Sequence, residues 1–212
     1  MQYEFSELSP AERYKLLVNT ITPRPIAWVV TLDNLGRTNA APYSFFNAMG
    51  ADPALVVLGI SGDNARAGEA QKDSLRVIRE TGEFTIALVT EADAEIMVMT
   101  AINAPAGTSE LEFAGVETRP ARHVKPPVIA TSPVTFECRV WKIIDTSDNS
   151  AIVIGEVIAM DIVDSVLSEE DGKLRIDAPA LNLVGRAHGA GNYWRGTDQI
   201  VIDRKSWPDE TA

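Results

Sequence analysis

Two histidines, His123 and His188, and one cysteine, Cys138, are the whole supply of the side chains that most often carry acid–base, nucleophilic or metal chemistry in this chain of 212 residues. Neither histidine has a second ligand at metal spacing, so no metal site is expected. There is no Gly-x-Ser-x-Gly elbow, and Cys138 lies inside an apolar extended run without a local activator, which reads as a buried strand residue. No Gly-x-Gly-x-x-Gly turn is present, so a Rossmann-type dinucleotide site is not expected either. The chain does carry residues suited to anions. Lys72 and Ser74 flank Asp73 at an expected helix start, where an ammonium, a hydroxyl and backbone N–H groups can surround a phosphate. Arg24, between Pro23 and Pro25, adds a constrained guanidinium.

The segment Asn39–Asn47 (NAAPYSFFN) sets small residues and a proline before aromatics, so backbone donors can approach a planar ring closely. A redox cofactor of the flavin type asks for a phosphate site, polar contacts along the ring edge and one open ring face, and these residues supply all three. Each has a plain alternative: Lys72 a surface lysine, Ser74 a cap, Arg24 a surface or dimer contact, and the aromatics a plug at a strand end.

The elements that must position these groups follow from patterning. Ser9-Pro10-Ala11-Glu12 forms a capping-box sequence, and Ala11, Tyr14, Leu17 and Val18 recur at helical spacing, predicting a short helix over residues 9–19. Ile26–Leu32, the turn Asp33–Gly36 and Arg37–Phe45 read as a β-hairpin, and Ala54–Ile60 as a buried strand. A helix capped by Asp73 or Ser74 and ended at Gly82 leads to a strand over Phe84–Val89. A second helix is expected over Ala92–Ile102, with Thr90 in a capping position and Asn103–Gly107 ending it. Val134–Ile144 and Ala151–Val163 form another hairpin, and the proline-rich stretch Arg119–Pro133 reads as an irregular surface connection. Hairpin links favour an antiparallel closed sheet with a few helices over a doubly wound parallel sheet.

Hydrophobic content of 45% supports one substantial core, and no composition shift marks a linker, so a single domain over 1–212 is expected. A net charge of −11 opposes general attraction to nucleic acid or anionic lipid surfaces. No signal-peptide pattern opens the chain, and no apolar stretch approaches the roughly 20 residues of a membrane span, which makes a cytoplasmic location the expectation.

In their joint order these pieces resemble the flavin reductase-like, FMN-binding split-barrel family, flavoredoxin-like, across roughly residues 19–195. The resemblance is carried by Pro23–Val29, Gly36-Arg37, Asn39–Asn47, Lys72-Asp73-Ser74, Gly82–Phe84, Glu137-Cys138, Ile154–Val157, Gly185-Arg186 and Tyr193. It implies a mainly β fold with peripheral helices, an FMN-binding split β-barrel of Greek-key type, forming a homodimer with FMN near the subunit interface. Ala41, Pro42, Tyr43, Ser44 and Phe45 would line the flavin, Arg24, Lys72 and Ser74 would lie nearest its phosphate, and Asp73 would belong to the same cofactor-binding segment. Ser74 stands where threonine is commoner and keeps the hydroxyl. Trp28, Thr31 and Asn39 would support the pocket from adjacent strands, with sheet packing and turn bonding as the alternative. Arg186 and Tyr193 would belong to the carboxy-terminal part of the site. His188 in the same loop would contact nicotinamide or substrate, or else be an exposed loop histidine.

The implied activity is hydride transfer from NADH or NADPH to FMN, or to FAD as an exchangeable substrate, with a partner monooxygenase or electron-transfer protein receiving the electrons. The alternatives are a flavoredoxin-type FMN electron carrier and a non-enzymatic module binding another planar cofactor, with the related pyridoxamine-phosphate oxidase class matching less well.

Overall fold

Ser9 opens the first helix, α1 (Pro10–Thr20), through the expected reciprocal cap: its Oγ accepts from the Glu12 N–H at 3.3 Å, and the Glu12 carboxylate accepts from the Ser9 N–H at 2.9 Å. The computed structural model describes residues 1–62, 71–102, 104–105 and 108–202. Two strands follow α1, β1 (Ala27–Leu32) and β2 (Thr38–Tyr43). Their turn is built by Asp33, whose Oδ1 accepts from the Leu35 and Arg37 N–H groups at 2.9 Å each. Next come β3 (Phe46–Ala51), β4 (Ala54–Ile60), α2 (Asp73–Thr81), β5 (Glu83–Leu88), α3 (Ala94–Met99) and α4 (Glu110–Ala114). Short strands β6 (Thr118–Arg119) and β7 (Val128–Ile129) precede the long hairpin of β8 (Val134–Ser147) and β9 (Ser150–Ile162). Two small hairpins close the order, β10 (Leu167–Glu170) with β11 (Lys173–Ile176), and β12 (Val184–Arg186) with β13 (Tyr193–Arg195).

Seven strands form one antiparallel sheet in the order β2-β1-β5-β8-β9-β4-β3. Its edges, β2 and β3, are consecutive in the chain and joined only by Ser44 and Phe45, so the sheet curls until its edges meet there. The Phe45 carbonyl accepts from the Gly59 N–H at 2.7 Å, stitching this corner to β4. Among the described residues no ladder joins β2 to β3. The antiparallel sheet expected from the hairpin order is present, and its two edges meet at the Ser44-Phe45 corner without a ladder between them.

Both faces of β1 are buried, which is why its sequence is apolar without alternation. Ala27 and Val29 face the interior with Leu58, Phe84, Ile86 and Val153, and α2 covers this side with Leu75 and Ile78. Trp28 and Val30 face outward under Met97 of α3, Leu111 of α4 and Ile129. The interior is close-packed at Gly155, where a Cβ would stand 2.5 Å from Phe84 Cζ.

Several expectations are corrected. The extended run taken to Phe45 breaks at the Ser44-Phe45 corner, and β3 beyond it was not anticipated. Lys72, not Asp73 or Ser74, is the N-cap of α2, without a side-chain cap; Asp73 in the first turn pairs with Arg76 at 3.1 Å. Gly82 ends α2 as expected, with φ of 72°. The helix expected over 92–102 is the shorter α3, because Thr90 closes a separate turn by accepting from the Asp93 N–H at 3.1 Å. Of its expected end, Asn103, Ala106 and Gly107 lie outside the described residues. The stretch 119–133 is not simply a surface connection: Val128 and Ile129 are buried, and the buried Glu137 carboxylate accepts backbone N–H bonds from Arg122 at 2.9 Å and His123 at 2.5 Å. Among the described residues no helix is long and apolar enough to cross a membrane.

Candidate functional site

On an antiparallel strand each residue's N–H and C=O point to the same side, and successive residues alternate. The Ala40 N–H donates to Glu110 Oε2 at 3.3 Å and so points away from β1. Pro42, two residues on, shares that outward side, where its missing N–H breaks no ladder bond and its carbonyl faces out as an acceptor. The proline in this edge strand thus marks the edge that stays open.

Against that edge lies a cleft of about 640 Å³. One wall is the run Ala41, Pro42, Tyr43, Ser44 and Phe45. Opposite, α1 contributes Pro10, Ala11 and Tyr14, whose ring stands 6.2 Å from that of Phe45 at 45°. Gly59 and Ser61 lie at the end of β4 and beyond it, and Lys72 brings an ammonium next to the start of α2. Gly59 has to be small, since a Cβ there would sit 3.0 Å from the Phe45 Cβ. A second cavity, about 300 Å³, shares Pro42, Tyr43, Ser44 and Ala101 with the first and adds Met97, Val98, Arg186 and Tyr193.

Behind the wall runs a polar chain. Ser74 Oγ donates to Asn39 Oδ1 at 2.7 Å, and Asn39 Nδ2 donates to Glu110 Oε2 at 2.8 Å. Ser74 and Glu110 are buried, so these bonds satisfy groups that would otherwise be costly to enclose. The Tyr43 hydroxyl, also buried, makes no hydrogen bond of ordinary geometry. Burial raises its pKa to about 12, with Ser74 pulling the other way and Glu110 adding to the rise. Tyr43 lines both cavities, while its neutral hydroxyl is enclosed behind the wall.

Arg24 is placed differently from its neighbours in this set. Its guanidinium is buried and donates to the carbonyls of Val18 at 2.6 Å, Ile21 at 2.7 Å and Ala187 at 3.3 Å, and from Nε to Ser44 Oγ at 3.3 Å. It ties the end of α1 to the carboxy-terminal loop and reaches the cleft only through Ser44. Its backbone pairs with Arg186. Arg186 in turn donates to the Gly189 carbonyl at 3.2 Å and lies over the Tyr193 ring, 4.8 Å from its centroid.

The structure therefore brings Ala41, Pro42, Tyr43, Ser44, Phe45 and Lys72 to one cleft, and Arg186 and Tyr193 to the adjoining cavity. Asn39 and Ser74 stand behind the wall, Ser74 with its hydroxyl turned to Asn39 rather than outward. Trp28 packs in the core, its Nε1 donating to Thr100 Oγ1 at 2.9 Å. Thr31 is fully buried with an unpartnered hydroxyl. His188 is exposed and lines neither cavity. Cys138 is buried, and burial with Glu137 beside it pushes its thiol up, away from reactivity.

Tyr14, Gly59 and Glu110 belong to the site and were not singled out from sequence. Tyr14 sits at an apolar helix position yet is exposed on the cleft, and spacing cannot tell those roles apart. Glu110 follows Ser109, which caps the five-residue α4, a helix too short to show a periodicity.

The profile of the family described as "Flavin reductase like domain" matches residues 19–189. A protein of Deinococcus radiodurans is 38% identical over 211 residues, covering 97% of this chain and 90% of its own. The protein YwrF of Bacillus subtilis is 33% identical over 190 residues, 86% of this chain and 91% of its own. Among solved structures, the 2-nitrobenzoate 2-nitroreductase NbaA of Pseudomonas fluorescens superimposes with a TM-score of 0.86 at 32% identity, each chain covered in full. Nitrilotriacetate monooxygenase component B of Bacillus cereus gives 0.84 at 29%, covering 95% of this chain and 98% of its own. The flavoredoxin of Desulfovibrio vulgaris (Miyazaki F), at 18% identity and a TM-score of 0.70, shares the fold. Taken with the match over residues 19–189, these likenesses show that the chain belongs to the flavin reductase-like family.

Proposed function

We propose that this protein is an FMN-dependent oxidoreductase, an NAD(P)H:flavin reductase that binds FMN in the cleft along β2 and passes electrons to a second acceptor, a partner monooxygenase or exchangeable FAD among the candidates. The observation that carries this reading is the cleft itself. Its volume of about 640 Å³ falls within the roughly 300–1,000 Å³ of organic-ligand sites, and its lining offers an open strand edge at one place and an ammonium at another.

The residues present fit FMN. Lys72 and the first turn of α2 supply positive charge and N–H groups for a phosphate. The small residue Ala41, with Pro42 and Gly59, lets a flat ring system approach the backbone. When bound, FMN supplies the two-electron redox chemistry that this chain's side chains lack. Tyr14 and Phe45 supply an apolar wall to the cleft, and the Glu110–Asn39–Ser74 chain holds β2 against α2 so that both ends of the site keep their spacing. No side chain is asked to act as a general acid or base, in keeping with His188 lying outside both cavities.

We also propose a homodimer in the cytoplasm. The outer face of β8, β9 and β4 supports the dimer: Ile144 pairs with Ile152 and Ile154 with Val57 in a row of apolar residues, flanked by exposed Trp141 and Met49. Sedimentation equilibrium giving one chain per particle would remove this part.

The decisive experiment is an FMN titration followed by visible absorption, then anaerobic NADH or NADPH. Bound flavin that bleaches with either nucleotide supports the reductase. Bound flavin that stays oxidised favours a carrier fed by a protein, and absence of binding overturns the cofactor assignment.

A further inference from the structure

Two guanidiniums lie near one another in a chain of net charge −11, and among the described residues neither meets a carboxylate. Other arginines of this protein do: Arg37 pairs with Asp33 at 2.7 Å, Arg119 with Asp161 at 2.7 Å, and Arg195 with Glu91 at 2.5 Å. Arg24 instead bonds carbonyls and a hydroxyl, and Arg186 a carbonyl and an aromatic face. Carbonyl dipoles satisfy N–H donors without cancelling a full charge. Burial above all lowers the pKa of Arg24, Tyr14 works against it, and repulsion from Arg186 adds a smaller lowering, so the two charges act on each other.

The cavity of about 300 Å³ opens beside this pair. Arg186 and Tyr193 stand on one side, Ser44 lies between the cavity and the Arg24 Nε, and Ile26, Met97 and Val98 give it apolar walls. Its size is at the lower limit of organic-ligand sites, enough for one ring and too small to enclose a dinucleotide. A charge held above an aromatic ring, with apolar walls around it, suits a ligand that is flat and apolar at one end and anionic at the other.

We propose that this cavity binds a small planar aromatic carboxylate, a one-ring monoanion of the benzoate type, its carboxylate toward Arg186 and its ring against Ile26, Met97 and Val98. Such a ligand shares the Pro42–Ser44 wall with the larger cleft and so lies next to the proposed FMN site. Only that neighbourhood rests on the flavin reading; the binding itself does not.

Calorimetric titration of the intact protein with benzoate, benzamide and acetate, each with and without FMN, tests this. Benzamide keeps the ring and removes the charge, and acetate does the reverse. Benzoate is expected to bind at least about tenfold more tightly than either, the difference a charge-assisted bond to a partly desolvated guanidinium makes. Arg186→Gln is expected to abolish the preference over benzamide while leaving the circular dichroism unchanged. Equal binding of benzamide, no binding of benzoate, or a preference that survives in Arg186→Gln each overturns the proposal. The comparison of the three ligands on the unaltered protein needs no variant to fold. FMN is titrated separately: if FMN fails to bind while benzoate binds, the flavin reading falls and this one stands, and bound FMN with no discrimination by charge is the reverse.

Discussion

Ser74 Oγ donates to Asn39 Oδ1 at 2.7 Å, which fastens the first turn of α2 to the edge strand β2. The hydroxyl that sequence reading assigns to a phosphate thus holds together the two elements that frame the cleft. Ser74→Ala takes that donor from the half-buried Asn39 amide oxygen. The expected loss is about 1 kcal/mol of unfolding free energy in urea, since a hydrogen bond contributes roughly 0.5–1.5 kcal/mol net. FMN affinity is expected to fall as well, through the loosened frame. Stability equal to that of the parent would mean that the bond contributes nothing to the frame.

Among the described residues, Lys72 is the cation lining the cleft, at the start of α2. Lys72→Ala is expected to weaken FMN binding by about tenfold, the scale of one charge-assisted contact. The deficit should shrink as salt rises, because exposed charge pairs are screened over about 10 Å at 0.1 M. An affinity unchanged at low salt removes Lys72 from the phosphate site.

Elements with a local signature were legible in the sequence, and those made by long-range contact were not. The Ser9 capping box, the Asp33 turn and Gly82 each act within a few residues, so α1, the β1–β2 hairpin and the end of α2 follow from the sequence. The strand β3 depends on the Phe45 carbonyl meeting Gly59, and α4 is only five residues long; neither leaves a periodic trace. At the site, the run Ala41–Phe45 was legible because small residues and a proline beside aromatics let a planar ring approach the backbone, and because its place in the order of motifs resembles the family. Arg24 is the contrary case. Its neighbouring prolines mark a constrained cation, but only the fold reveals that carbonyls of Val18, Ile21 and Ala187 surround it.

Gly155 and Phe84 set a packing limit. A Cβ at position 155 would stand 2.5 Å from Phe84 Cζ, in an interior where Phe84 is fully buried. Gly155→Ala is expected to destabilise by about 2 kcal/mol, within the roughly 1–3 kcal/mol of an overpacked core. Combining it with Phe84→Leu should cost less than the sum of the two single changes. Additive costs in a double-mutant cycle would show that the two do not press on each other.

Tyr43 titrates in the alkaline range. Its folded pKa, raised by burial to about 12, exceeds the unfolded value near 10, so the native state holds the proton longer. The corresponding stability is fully present below about pH 10 and is lost as pH rises through about 12. Tyr43→Phe has no proton to lose, and its stability is expected to fall less steeply over that window when both proteins are unfolded in urea without flavin. Parallel pH profiles would show that the phenol titrates as in the unfolded chain.

Arg24 joins the last turn of α1 to the loop after β12, and the same helix carries Tyr14 into the cleft. Arg24→Lys keeps the charge and gives up the planar fork. A single ammonium cannot reach the Val18, Ile21 and Ala187 carbonyls and Ser44 Oγ together, so the exchange is not conservative here. The expected cost is about 2 kcal/mol, from at least one buried carbonyl left without a donor. It should be local: amide exchange is expected to quicken over residues 16–22 and around 187–189 while β5 and β8 keep their protection. FMN should bind more weakly, because the wall that Tyr14 forms opens with the helix. If exchange rises evenly across the sheet, Arg24 supports the whole fold. If it does not rise at all, the carbonyl contacts do not hold α1 in place, and the Tyr14 wall of the cleft must be fixed by some other contact.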